Sequence, residues 1–130
     1  MGLRHEERLN GVREELCRVI RRAAELTEFD ITVAEGLRSK GRQQQMFEQG
    51  KSKTLNSKHL TGEAVDIYPL TDDHKAIAWG NFPAMISAVK QAAYEFGISI
   101  ECGADWKMRD CPHIQLCKIA NNCTVKNTTV

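Results

Sequence analysis

The sequence predicts an α+β fold, a single compact domain with a small antiparallel sheet flanked by helices. Three observations lead there. Two long segments carry apolar residues at helical spacing, and four short apolar runs end at glycine, proline or turn residues. Their order is helix, strand, helix, strand, helix, strand, strand, too irregular for the repeated crossovers of a doubly wound parallel sheet. The 130 residues suit one domain, placed over residues 1–120, with 121–130 as a polar, flexible tail.

From about Glu6 to Leu26, residues Leu9, Val12, Leu16, Val19, Ile20 and Ala23 recur at three- and four-residue steps against Arg and Glu, which predicts an amphipathic helix. Phe29 to Gly36 reads as a strand, with Ile31 and Val33 alternating against Thr32 and Ala34. Ser39 is placed to cap a helix from Lys40 to about Gln49, closed by Gly50. Lys51 to Lys58 has no period and reads as a loop. Ala64 to Tyr68 is a strand that Pro69 ends, and a short helix is expected after Thr71-Asp72-Asp73. Phe82, Met85, Ile86, Val89, Ala93 and Phe96 mark a second long helix, with Pro83 in its first turn and Gly97 past its end. Ile98 to Cys102 and His113 to Cys117 complete the strands, and Gly103 to Asp110 forms a loop between them.

Composition narrows the partners. Hydrophobic residues at 42% and charged residues at 27% are ordinary for a folded domain. A net charge of +1 supplies no electrostatic footprint for nucleic acid. No apolar run approaches the ~20 residues of a membrane span, so no membrane insertion is expected. The charged start has no apolar stretch of the kind a secretory signal needs. Five cysteines cannot all pair within one chain, and they are expected to be mostly reduced in a protein made in a cytosol.

Chemistry concentrates in Ser57-Lys-His-Leu-Thr-Gly-Glu-Ala-Val-Asp66 and, far downstream, Asp110-Cys-Pro-His113. A hydrolytic zinc centre uses three His or carboxylate ligands and leaves a fourth position open. His59 and Asp66 can supply two from a loop and the strand it enters, and His113 the third from another strand. Asp110, three residues earlier in a turn shaped by Pro112, is placed to serve as a general base. Residue by residue, other readings stand: a loop histidine is commonly a surface residue, and an aspartate at a strand start is commonly a cap. Asp66, however, interrupts an apolar run, where a carboxylate is costly unless paired or metal-bound.

With these residues in view, the sequence resembles the zinc peptidases of the D-alanyl-D-alanine carboxypeptidase and dipeptidase group. Ser57, His59, Gly62, Ala64 and Asp66 fall on the S-x-H-x-x-G-x-A-x-D signature, and Asp110 and His113 on the second. Gly36-Leu-Arg38, Gln45 and Gly50 resemble the upstream stretch. Size and the D-x-P-H ending are similar to phage endolysins that act as L-alanyl-D-glutamate peptidases. The resemblance implies one zinc ion per chain at His59, Asp66 and His113, and Asp110 as base and then acid. It implies Arg38 on the developing oxyanion or a substrate carboxylate, with Ser57, Gln45 and Trp106 toward substrate. The family often has glutamate where this chain has Asp110, which weakens transfer of the dipeptidase specificity.

The expected function is therefore hydrolysis of the L-alanyl-D-glutamate bond in peptidoglycan stem peptides during lysis of a phage host. The enzyme would be a monomer, made in the host cytoplasm and dependent on a separate pore protein to reach the wall. Rival readings are a D-alanyl-D-alanine dipeptidase or carboxypeptidase and a non-catalytic zinc-binding module. Asp105 is a rival base. Cys102, Cys111, Cys117 and Cys123 lack the paired spacing of a structural zinc site, and Cys111 beside His113 is a rival nucleophile.

Overall fold

Five strands form one sheet in the order β1-β2-β3-β5-β4. They are β1 (Leu3–Arg4), β2 (Ile31–Glu35), β3 (Ala64–Pro69), β4 (Ile100–Cys102) and β5 (His113–Leu116). The computed structural model describes residues 2–51, 57–107 and 109–117. The expected tail, 121–130, lies outside the described residues, as does most of the expected loop from Lys51 to Lys58. The sheet is antiparallel apart from the edge pair β1 and β2, which run parallel. A two-residue strand that contributes mainly backbone hydrogen bonds leaves no side-chain period to read.

Helices α1 (Glu14–Leu26) and α3 (Phe82–Phe96) pack on one face of the sheet. Their apolar stripes bring Leu16, Val19, Ile20 and Ala23 against Met85, Val89 and Ala93, all fully buried. Ile31, Val33, Val65, Ile67, Ile100 and Ile114 meet them from the strands. Because side chains alternate along a strand, that core assigns Asp66 and His113 to the opposite face. Pro83 opens α3, and Gly97 closes it in the left-handed conformation.

The helix expected from Glu6 is interrupted. A 3-10 turn, Glu6–Leu9, precedes α1, and both Asn10 and Arg13 are extended. The break lets Leu9, Val12 and Leu16 all reach the core. No helix follows Thr71-Asp72-Asp73. Thr71 Oγ1 instead donates to Asp73 at 2.7 Å, the Lys75 amide donates to the same carboxylate, and Leu70 bridges back to Ile77. Such side-chain bonds to nearby backbone compete with helix. A 3-10 turn at Trp79–Asn81 then leads directly into α3. Helix α2 (Lys40–Glu48) forms as expected, with Ser39 Oγ accepting from the Arg42 amide at 3.1 Å.

Gly62 closes the turn that carries His59. It has φ of +73°, and an added Cβ would lie 2.3 Å from the Gly11 carbonyl oxygen. The Arg13 amide donates to Gly62 O at 2.8 Å, tying this turn to the start of α1. Gly62→Ala is expected to cost about 1–3 kcal/mol through backbone strain, and overpacking adds to it. Urea unfolding should show a lower midpoint with an unchanged slope.

Candidate active site

The centre is built on two rungs of the sheet. In the first, Glu35 of β2, Asp66 of β3 and His113 of β5 are direct register partners. Simple alternation along β2 would put Glu35 on the core face with Ile31 and Val33. A bulge between Val33 and Glu35 sets two residues of β2 against one of β3 and moves Glu35 beside Asp66. The second rung, two residues along, aligns Ala64, Gln115 and Glu101.

His59 enters from the 3-10 turn Lys58–Thr61. Ser57 Oγ accepts from the His59 amide at 3.2 Å, and His59 O accepts from the Arg38 amide at 2.9 Å. His59 Nδ1 lies 2.9 Å from the Gly36 carbonyl oxygen, which can only accept, so Nδ1 carries the proton and Nε2 presents a lone pair. That Nε2 is 3.3 Å from Asp66 Oδ1, and so is His113 Nδ1. Ligand atoms of the three side chains all lie within 4.8 Å of one another.

His59 Nε2 and Asp66 Oδ1 are buried without a hydrogen-bond partner. Lone pairs facing one another in a buried space require a proton or a cation between them. Two imidazole nitrogens and a carboxylate oxygen fit zinc, whose protein ligands are of these kinds. Burial, the largest influence on Asp66, raises its pKa; the His113 and His59 rings beside it outweigh that and hold the carboxyl well below its ordinary 3.8. Burial likewise lowers His113, but Asp66 and Gln115 carry it above its ordinary 6.5.

Asp110 stands at the rim, with Oδ2 4.0 Å from His113 Nδ1 and half of its side chain exposed. Its backbone is held close to Gly103: the Asp110 amide donates to Gly103 O at 2.9 Å, and a Cβ on Gly103 would meet Asp110 O at 2.2 Å. Burial first, and the charge on Asp66 second, raise the Asp110 pKa. Trp106 lies against His113, with ring centroids 5.1 Å apart and planes tilted by 43°.

Arg38 is buried at 7% exposure. Its Nε and Nη2 donate to Glu35 Oε1, and Nη1 donates to Gln43 Oε1 at 2.6 Å. Gln43 is the one buried residue of α2, while Gln45, expected near substrate, is exposed on the same helix. The rival base Asp105 is turned to Lys90 of α3 at 3.0 Å. Cys111 packs against the core cluster. Cys17 and Cys102 are buried free thiols, and burial pushes Cys102 up to about 12, which makes it a poor ligand or nucleophile. Cys111 is a free thiol as well, and Cys117 is disulfide-bonded.

Sequence reasoning missed Glu35, Gln43, Gln115 and Glu101. Gln115 carried a signal, since a residue two beyond His113 on a strand shares its face. The others depend on a bulge, a buried helix contact and a strand register.

Two buried histidines and a half-buried aspartate, with a separate carboxylate at the rim, define the class: a small α+β hydrolase whose centre is suited to a metal ion. The chain belongs to the phage L-alanyl-D-glutamate peptidase family, whose model matches residues 1–117. It is similar to the L-alanyl-D-glutamate peptidase of Escherichia phage T5, with 37% identity over 111 residues, 81% of this chain and 80% of that protein. It also resembles the crystal structure of the Serratia marcescens L-Ala D-Glu endopeptidase ChiX. The TM-score is 0.82 at 43% identity, covering 88% of this chain and 86% of that one.

Proposed function

We propose that this protein is a zinc endolysin that hydrolyses the L-alanyl-D-glutamate bond of peptidoglycan stem peptides during host lysis. The observation that carries the reading is the convergence of lone pairs from His59, Asp66 and His113 beside the Asp110 carboxylate. When bound, zinc supplies a Lewis acid that acidifies water and polarises a carbonyl.

The remaining work belongs to side chains of the protein. Asp110, at the rim beside His113, takes a proton from the attacking water and returns it to the leaving amine. Glu35 and Gln43 engage three of the five guanidinium hydrogens of Arg38. Those bonds hold the fork still, and the others are left to stabilise charge that develops on the substrate oxygen. Trp106 walls the cleft beside His113. Ser57 and Gln45 are assigned to substrate by the family pattern, Ser57 while also holding the turn of His59. Among the described residues no helix is long and apolar enough to cross a membrane. The protein acts as a monomer, made in the host cytoplasm, and a separate pore protein gives it access to the wall.

Purified peptidoglycan digested with the zinc-loaded protein should show a new D-glutamyl amino terminus by mass spectrometry. Release of D-alanine or its dipeptide would move the activity to the carboxypeptidase or dipeptidase type. No new terminus from a folded, zinc-loaded protein would leave a binding module.

A further inference from the structure

His113 presents Nδ1 to the centre, and its other ring nitrogen is engaged. Nε2 lies 2.9 Å from Gln115 Oε1, and Gln115 Nε2 donates to Glu101 Oε2 at 2.9 Å. The geometry follows from the sheet. Gln115 is two residues beyond His113 on the same face of β5, and Glu101 is its direct partner across the β4–β5 ladder. Opposite Gln115 on the other side, Ala64 of β3 presents only a methyl group.

We infer that Glu101 and Gln115 form a carboxylate–amide–imidazole relay that fixes the tautomer of His113 and so prepares Nδ1 as a ligand. The inference rests on reading this centre as a metal site. A carboxylate can only accept hydrogen bonds, so Glu101 draws the amide nitrogen of Gln115 toward itself. The amide oxygen must then face His113. That oxygen can also only accept, so His113 Nε2 carries the hydrogen and Nδ1 is left with its lone pair aimed at Asp66. Charge at the far end of the chain thus decides which nitrogen of the ring is open. His59 is served differently, by the fixed carbonyl of Gly36. Backbone cannot turn over, whereas an amide can, and Glu101 supplies the missing constraint. Outer partners of this kind orient metal-binding histidines and raise their basicity. Glu101 and Gln115 are positioning residues, since neither lies among the three donors of the centre.

Three variants separate this role from simple packing. Gln115→Leu removes the acceptor for Nε2–H, and Glu101→Gln removes the constraint on the amide while keeping its shape. The exchange Glu101→Gln with Gln115→Glu places a carboxylate directly against Nε2–H, with an amide donating to it from β4. Zinc affinity, measured by chelator competition, is expected to fall about 10–100-fold in each single variant and to recover in the exchanged pair. Nitrogen-15 shifts of the neutral His113 ring in metal-free protein should show the hydrogen on Nε2 in the wild type and the exchanged pair, and a mixture in Glu101→Gln.

Wild-type zinc affinity in Gln115→Leu, or an unchanged tautomer in Glu101→Gln, would overturn the relay. A loss that the exchange does not restore, with the tautomer unaltered, would assign these residues to packing alone. A wild-type chain that locks the His113 tautomer and yet takes up no zinc would overturn the metal-centre reading and leave the relay standing.

Discussion

Asp66→Asn is expected to abolish hydrolysis and to weaken zinc binding by more than the roughly 100-fold that marks loss of an outer partner. The carboxylate is the one anionic member of the donor set and sits in the middle of it, 3.3 Å from each imidazole. An asparagine keeps the volume and loses the charge, so the two histidines remain with nothing to offset a dication. Isothermal titration with zinc and a peptidoglycan turbidity assay would check both effects.

The same variant should change metal-free stability in a pH-dependent way. The Asp66 pKa is held below its ordinary 3.8, so its contribution is full above that value and is lost as pH falls through the folded value. The His113 pKa is raised above 6.5, so its contribution is full below 6.5 and is lost as pH rises through the folded value. Together they stabilise the metal-free protein between about 3.8 and 6.5. Asp66→Asn should flatten both limbs of the melting temperature against pH. Zinc should stabilise the wild type by mass action and the variant far less. A variant that retains tight zinc binding and activity would remove Asp66 from the centre.

Asp110→Asn is expected to lower kcat/KM by about 10²–10⁴-fold, the range typical of lost general acid–base catalysis. Zinc affinity should be nearly unchanged, because the carboxylate lies 4.0 Å from His113 Nδ1, is half exposed and stands outside the three-donor group. The paired result, activity lost and metal kept, distinguishes a proton carrier from a ligand. The acid limb of the pH–rate profile should also vanish, since the group that must be deprotonated to accept the proton of water is gone. Asp110→Glu should recover part of the rate, as its longer side chain still reaches the rim from the same backbone position. Equal losses of zinc affinity in Asp66→Asn and Asp110→Asn would instead make Asp110 a fourth ligand.

The candidate active-site residues differ in how local their signals are. His59 and Asp66 lie in one short segment, and the cost of a carboxylate in the apolar run Ala64-Val65-Asp66-Ile67 is visible from neighbours in sequence. The helical stripes of α1 and α3 are legible for the same reason, since a 3.6-residue period is a property of a single segment. Ser39 and Gly97 mark helix ends through their own side chain and backbone.

What surrounds those residues was set by pairing between distant segments. The bulge that brings Glu35 to Asp66 exists only in the register of β2 against β3. Gln43, five residues on, becomes a partner of Arg38 only once α2 turns that side chain inward and buries it. Glu101 and Gln115 are far apart in the chain and meet because β4 and β5 align them. The sequence by itself determined the helical stripes and the candidate donors, because these follow from spacing within a segment. Tertiary structure decided which nitrogen each histidine presents and what holds Arg38, because a hydrogen bond depends on atoms whose positions only the folded chain fixes.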